Sequence, residues 1–353
     1  RFSKSEDHVE LYQLNLENGL YELQEKYSNN TNYKRNIHSL YTTYAGELGE
    51  FGYQAGLRGE YTYRLIGSDK QEKDFGINRW DIFPTLHLSY NLPKEIQLMT
   101  SYTRRIQRSK GWYLEPFITW SDAFNVRQGN PELLPEYIDS FELGSMKKLG
   151  KGSMISLEAY YRITNNKVER VRSVYEENVM LTTYENVGKD YSLGLEMMFS
   201  LNLFKWWEVD LMADIYQYKV EGILYEQDFS NSSNNWSSRF NNTFKIGKST
   251  KLQLNSMYNG ESVTAQGKTA GYYMINFAAR QDFFDRKLSA TFQVRDIFST
   301  AKHEFTSQGP DFYTYSEYER KSPIVTLSIS YRFNNYRPDR KKNGKGGDEM
   351  EGF

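Results

Sequence analysis

The chain has 353 residues, with 44 basic and 45 acidic side chains and a net charge of -1, so it has no global electrostatic pull toward nucleic acid. It has no cysteine, which excludes disulfides, zinc–thiolate sites and thiol catalysis. Aromatic residues reach 16% while mean hydropathy is -0.74, a combination that fits strands with one apolar and one wet face.

No run of about 18 apolar residues is present, so no transmembrane helix is expected. The histidines (His8, His38, His87 and His303) lie far apart without metal-ligand spacing. The chain starts at Arg1 without a signal-peptide pattern and reads as a mature chain or a piece of a larger one.

Along the chain the period is 2 almost everywhere. The pattern predicts strands near 33–45, 49–66, 76–92, 94–108, 137–149, 152–172, 179–202, 205–223, 233–247, 250–263, 270–283, 287–307 and 312–333, with one more before residue 28. In 51–64, Phe51, Tyr53, Ala55, Leu57, Tyr61 and Tyr63 oppose Gln54, Arg58, Glu60, Thr62 and Arg64. In 287–298, Leu288, Ala290, Phe292 and Val294 oppose Ser289, Thr291, Gln293 and Arg295. Antiparallel strands with unlike faces give this alternation. Most of these strands exceed the roughly 5–6 residues of soluble strands and the about 9–11 that a tilted membrane strand needs.

The connections alternate in length. Short ones at 46–50, 91–95, 149–153, 203–206, 246–250 and 283–287 are interleaved with longer polar ones at 67–76, 109–136, 173–179, 224–232, 264–269 and 308–311. A barrel of membrane hairpins predicts such parity, with short periplasmic turns and longer extracellular loops; a soluble sandwich does not. Phe51, Tyr90, Phe204, Trp206, Trp207, Phe283, Phe284 and Phe333 flank the short turns as an interfacial girdle would. Residues 334–353 are Gly-rich and charged, and read as a disordered tail on the short-turn, periplasmic side.

Catalytic constellations are missing: no GxSxG, P-loop, HExxH or EF-hand pattern occurs, so neither an enzyme nor a cofactor nor a metal site is expected. The charged residues Arg58/Glu60, Arg104/Arg105 and Glu158/Arg162 are expected on a wet face. Trp112, Trp120, Tyr175, Tyr225, Trp236, Tyr313 and Tyr315 lie near the long loops, where aromatics either stack on ligands or pack the loops. No ligand-binding residue is assigned.

The most punctuated stretch is RQGNPELLPEY, 127–137, in a chain with only 8 prolines. Gly129-Asn130-Pro131 suits a tight turn with φ > 0 at Gly or Asn, and Pro135 suits a strand's first residues. Glu136 is positioned to accept loop N–H groups. Gly129, Asn130, Pro131, Leu133, Pro135 and Glu136 are expected to form a rigid clasp that folds the longest loop onto the barrel mouth.

Residues 101–144 resemble TonB-dependent receptor barrels, especially the outer-membrane β-barrel family of Bacteroidetes-type bacteria. The resemblance rests on Arg104-Arg105-Ile106, Leu114-Glu115-Pro116-Phe117, Gly129 to Glu136 and Phe141-Glu142-Leu143-Gly144. It extends to 55–62, 81–92, 184–197, 294–300 and 327–334. The sequence departs from the family pattern at Ser109, where that pattern has Pro. The resemblance implies an all-β antiparallel transmembrane barrel over 1–333. The family's plug domain and TonB box are not visible in these residues, and about 14 strands are counted against 22 in the family, so the chain reads as the C-terminal part of such a receptor. It implies nutrient uptake across the Gram-negative outer membrane and a small-molecule, glycan or peptide ligand. It also implies outer-membrane lipid and the barrel-assembly machinery as partners, with the TonB complex reached only through a missing N-terminal part. Tyr331 and Phe333 resemble the terminal-strand signal read by that machinery. The alternatives are a passive porin-like or structural barrel, and a surface all-β binding protein.

Overall fold

The computed structural model describes residues 1–70, 73–150 and 152–333; the tail expected at 334–353 lies outside the described residues. Fourteen strands pair in order into one antiparallel sheet. They are β1 (Phe2–Val9), β2 (Asn29–Leu48), β3 (Phe51–Ser68), β4 (Phe75–Leu92), β5 (Ile96–Gln107), β6 (Glu136–Lys148), β7 (Met154–Glu176), β8 (Val179–Phe204), β9 (Trp207–Leu224), β10 (Gln227–Ile246), β11 (Thr250–Asn259), β12 (Tyr272–Phe283), β13 (Leu288–Arg295) and β14 (Ile324–Tyr331). The strand expected before residue 28 is β1. β1 and β14 form the two edges of the sheet, which is not closed on itself. Among the described residues no helix is long and apolar enough to cross a membrane.

Five of the six short connections turn on residues with positive φ, among them Gly49, Lys94, Glu95, Gly150, Gly152, Gly247 and the run Phe284 to Arg286. Two long connections differ from expectation. The segments 173–179 and 224–232 are not loops: β7–β8 and β9–β10 continue as hairpins to two-residue tips at 177–178 and 225–226, where Asn178, Tyr225 and Glu226 take positive φ. Apolar residues there are not confined to one face: Val171 and Leu224 are buried in a cluster with Val187 and Ala265, whereas Val174 and Ile223 are exposed, so the alternation that marks strands fades. The expected strands 287–307 and 312–333 are also divided. β13 ends at Arg295, and 302–308 and 313–319 join the short strands 262–263 and 267–269 in a separate four-stranded loop sheet. The chain then re-enters the wall as β14.

The two faces of the sheet have opposite chemistry. One carries Leu57, Leu86, Leu143, Leu193, Leu195, Ile215, Phe292, Leu327 and Ile329, all exposed. Cross-strand register aligns them: Leu86, Tyr102, Phe141, Tyr161 and Leu193 form one row over five strands. Leu143 is 65% exposed while its neighbour in sequence on β6, Glu142, faces the other way and accepts from Ser101 at 2.8 Å and Ser140 at 2.9 Å. The polar face continues with Tyr160 donating to Asp214 at 3.0 Å, and with an asparagine ladder in which Asn276 donates to Asn255 at 3.0 Å and Asn255 to Asn241. A soluble sheet buries its apolar face; this one exposes it from β2 to β14, which suits lipid outside and water inside, while β1 bears the exposed pair Lys4–Glu6 on that side.

Along β8 the apolar face runs through Tyr191, Leu193, Leu195, Met197, Phe199, Leu201 and Leu203. That advance is about 40 Å along the strand, or about 30 Å of height at a tilt of about 40°. Aromatics bound the band. At the short-turn end Phe204, Trp206, Trp207 and Phe244 stack with centroids 5.5 to 6.2 Å apart. Toward the long loops Tyr61 meets Trp80 at 5.3 Å and Trp236 stacks on Tyr258 at 3.9 Å. These are the positions of two interfacial girdles.

The faces respond differently to charge. Leu195→Arg is expected to destabilise the protein by about 2–4 kcal/mol, against less than about 1 kcal/mol for Ser200→Arg on the wet face. Urea unfolding of the full-length protein from lipid vesicles measures both; equal costs would contradict the assignment of faces.

Candidate ligand basin beneath the loop clasp

The connection from β5 to β6 does not project away from the sheet. It lies against the polar face and encloses, with β1, β2 and β7, a basin of about 1260 Å³. The basin is lined by Arg35, Arg108, Lys110, Arg127 and Lys167 together with Asp7, Glu115 and Glu136, and by Tyr33, Trp112 and Tyr113. Its short hairpin, Ile118–Asp122 with Asn125–Gln128, is tied to the upper part of β8 by parallel pairing of Asn125, Val126 and Arg127 with Met180, Leu181 and Thr182.

The structure brings the six expected clasp residues together, although the glycine acts differently from expectation. Gly129 and Asn130 do not take positive φ among the described residues. Gly129 is instead pressed against the start of the loop, donating to the Glu115 carbonyl at 2.8 Å. A Cβ there would lie 2.6 Å from the Glu115 nitrogen and 2.7 Å from the Tyr113 carbonyl carbon, so close backbone approach requires glycine. Asn130 donates from its backbone to Tyr113 at 2.6 Å, and its side chain accepts from Glu132 N–H at 3.0 Å. Leu133 N–H closes the turn onto the Asn130 carbonyl at 3.3 Å, with Pro131 at the position where its fixed φ suits the bend.

The wall grips this turn from three sides. Arg64 on β3 donates to the carbonyls of Pro131 at 2.8 Å and Leu133 at 3.1 Å. Asn186 on β8 exchanges two bonds with Leu134, accepting its N–H at 2.9 Å and donating to its carbonyl at 3.1 Å. Asn166 on β7, held at positive φ beside a register shift, donates to Pro135 at 3.3 Å. Leu133 is buried with Ile66, Leu114 and Tyr184, and Tyr113 stacks on Tyr184 at 3.7 Å; burial pushes the Tyr184 phenol up to about 12.

Glu136 opens β6 and accepts the Val168 N–H at 2.8 Å. Its carboxylate lies 3.6 Å from Lys167, which also sits 3.3 Å from Asp190 and 3.9 Å from Glu169. Burial works against the Lys167 ammonium, but the three carboxylates outweigh it and hold its pKa above the ordinary lysine value.

Other expected residues fall elsewhere. Tyr331 and Phe333 pack edge to face at 4.9 Å at the short-turn end of β14, far along the chain from the clasp. Arg104 does not face the wet side with Arg105. It shares the face of Tyr102 and pairs with Asp139 at 3.4 Å, just above the apolar row. Arg162 lies 4.0 Å from Glu142. Among the loop aromatics, Trp112 packs on Tyr184 at 5.4 Å, Trp120 meets Tyr27 at 5.7 Å, and Tyr225 accepts from Gln266 at 2.7 Å, so these pack the loops. Of the residues that hold the clasp, Arg64 was read only as part of the wet face of 51–64, and Asn166, Lys167 and Asn186 were not singled out; their signals were the polar clusters at 164–169 and 184–189 inside strand periodicity.

With an inverted sheet, aromatic girdles and a loop clasped onto the wet face, the molecule has the build of an outer-membrane barrel wall. The chain belongs to the outer membrane protein beta-barrel family, which it matches over residues 1–331. Among solved structures it is similar to the ferric yersiniabactin uptake receptor FyuA of Yersinia pestis, with 11% identity, a TM-score of 0.62, and coverage of 93% of this chain and 49% of that one. It is also similar to the ferric-catecholate import receptor Fiu of E. coli K12, with 14% identity, a TM-score of 0.62, and coverage of 93% and 50%. The siderophore receptor PirA of Pseudomonas aeruginosa is similar at 11% identity, with a TM-score of 0.51 and coverage of 93% and 64%. At these identities the likeness is one of fold. The chain spans about half the length of the first two. No curated protein matches it.

Gly129→Ala is expected to detach the turn from the start of the loop and Leu133→Ala to cost about 2–5 kcal/mol in the cluster. Limited trypsin digestion at Lys110 and Arg127 reads both: cleavage is expected to accelerate at least about tenfold, and unchanged protection in both variants would show that the clasp does not hold the loop.

Proposed function

We propose that this chain is the wall of an outer-membrane receptor barrel of the TonB-dependent type, which takes up a nutrient ligand across the outer membrane. The observation that carries this reading is the inward-clasped loop. A receptor needs a preformed concave surface that captures its ligand before transport, and a wide basin roofed by a rigid loop supplies one. Family membership and the fold shared with uptake receptors support it. The ligand is a small molecule, glycan or peptide small enough for the basin. Residues 1–333 form the barrel wall and 334–353 a solvated tail. The short-turn rim, where β14 ends, faces the periplasm. Tyr331 and Phe333 serve the barrel-assembly machinery, and the TonB complex acts through a plug outside these residues.

The edges of β1 and β14 bear on the choice between receptor and pore. An open wall in lipid leaves two rows of unpaired backbone groups, so further strands complete it. Planar-bilayer recordings test this. Reconstituted alone, residues 1–353 are expected to give no stable, uniform conductance. Long-lived pores of one size would contradict the receptor reading and favour the passive porin.

A further inference from the structure

On the wet face, Arg35 of β2 and Arg64 of β3 stand directly opposite each other in register. Like charges at facing positions repel, and here the repulsion is not relieved by protein. Among the described residues no carboxylate pairs with either guanidinium: Glu60 pairs with Arg108 at 2.6 Å and Arg58 at 3.5 Å, while Asp81, which lies by the same cavity, pairs through Oδ1 with Arg79 at 3.0 Å and accepts from Tyr137 at 2.9 Å, its Oδ2 buried without a partner. Arg35 is stacked over Tyr33, with its guanidinium carbon 5.7 Å from the ring centroid. Arg64 is only 7% exposed, gives one nitrogen to the clasp carbonyls, and its Nε has no partner. Burial, with the Arg35 charge adding to it, pulls Arg64 down to about 10.

Both side chains line one small cavity, at a place where the wall opens. β4 and β5 pair only from Thr85 and Thr103 downward; above that level they diverge, and the residue at the branch is Pro84, which has no N–H to offer a neighbour. The cavity sits by this divergence, lined also by Thr62, Arg79, Arg108, Ser109 and a single carboxylate, Asp81, against four guanidiniums. The Ser109 hydroxyl is buried there without a partner. The cavity leaves about 20 Å³ for the centre of a water-sized sphere, which suits one small group. It adjoins the basin, with which it shares Tyr33, Arg35, Arg108 and Ser109.

We infer that the facing Arg35–Arg64 pair, with the Ser109 hydroxyl, binds one small monoanionic group of halide or carboxylate size. Fork-shaped guanidinium donors on neighbouring strands suit a small anion held between them, and an anion there removes the cross-strand repulsion that the protein leaves in place. Because Arg64 also holds the Pro131 and Leu133 carbonyls, occupancy also steadies the clasp. The anion is either a free ion or the carboxylate end of a molecule lying in the basin. The inference does not depend on the chain being a transporter.

The test is thermal unfolding of the full-length protein in detergent micelles, followed by tryptophan fluorescence at constant ionic strength with a bulky sulfonate as the balancing anion. Chloride and acetate are titrated separately. A saturable rise in Tm is expected, with Arg64→Gln abolishing it and Arg35→Gln raising the half-saturating concentration at least about tenfold. Arg35 donates nothing to the clasp, so its variant reads the anion site even if Arg64→Gln fails to fold. Saturation by chloride assigns a free ion, and saturation by acetate alone assigns the carboxylate end of a larger molecule. No saturable rise with either anion, as for a cavity holding only water, would overturn the inference, as would an identical response in Arg35→Gln.

Discussion

In hydrocarbon each backbone N–H or C=O without a partner costs several kcal/mol, so a wall of strands survives in lipid only where every strand is laddered on both sides. The rest of this molecule depends on that ladder. It pairs β2 with β3 and β7 with β8 over almost their full lengths, fixes the register that gathers apolar side chains on one face, and leaves the other face free to be polar. Where pairing between β4 and β5 stops, side chains take over. Tyr137 of β6 reaches Asp81 of β4, with Arg79 and Arg104 5.2 and 5.5 Å from its ring centroid. The last residue of the clasp segment thus also fills the divergence in the wall.

The polar face is more than the wet side of a membrane sheet. Its carboxamides and guanidiniums supply the bonds that the clasp cannot make within itself: Arg64, Asn166 and Asn186 satisfy carbonyls and an N–H of residues 131–135. An irregular backbone packed against a wall carries buried polar groups, and each needs such a partner. The loop's rigidity therefore comes from the strands. The basin keeps its shape because its roof and floor are bonded through the same side chains.

Strands, faces and the places of the short turns were legible in the sequence because each rests on local chemistry: the period-2 split of 51–64 is the split seen on β3, and five of the six short turns use positive φ, as at Gly49, Gly150 and Gly247. The clasp was legible as a rigid segment from Pro131, Pro135 and Gly129. Its mechanism was not, since the atoms that forbid a side chain at Gly129 belong to residues 113–115. The extended tips of β7–β10 escaped because beyond the apolar band apolar and polar residues fall on both faces, as with buried Val171 and exposed Val174, and periodicity carries no signal. The loop sheet between β13 and β14 was read as wall because its Tyr-rich alternation at 313–319 imitates a lipid-facing strand. The outward position of Arg104 and the facing of Arg35 and Arg64 follow from register, which depends on pairing partners distant in sequence.

The account stands on the inversion of the sheet, and β8 gives the cleanest place to measure it. These 353 residues hold no native cysteine, so with any cysteine outside them replaced by serine, single cysteines can be placed at each residue from 192 to 203 of the full-length protein in lipid vesicles, spin-labelled, and exposed to oxygen dissolved in the lipid or to a nickel chelate in the water. The account predicts period-2 accessibility, with 193, 195, 197, 199, 201 and 203 relaxed by oxygen and 192, 194, 196, 198, 200 and 202 by nickel. Alternation of the opposite phase, or nickel access on both faces, would contradict it.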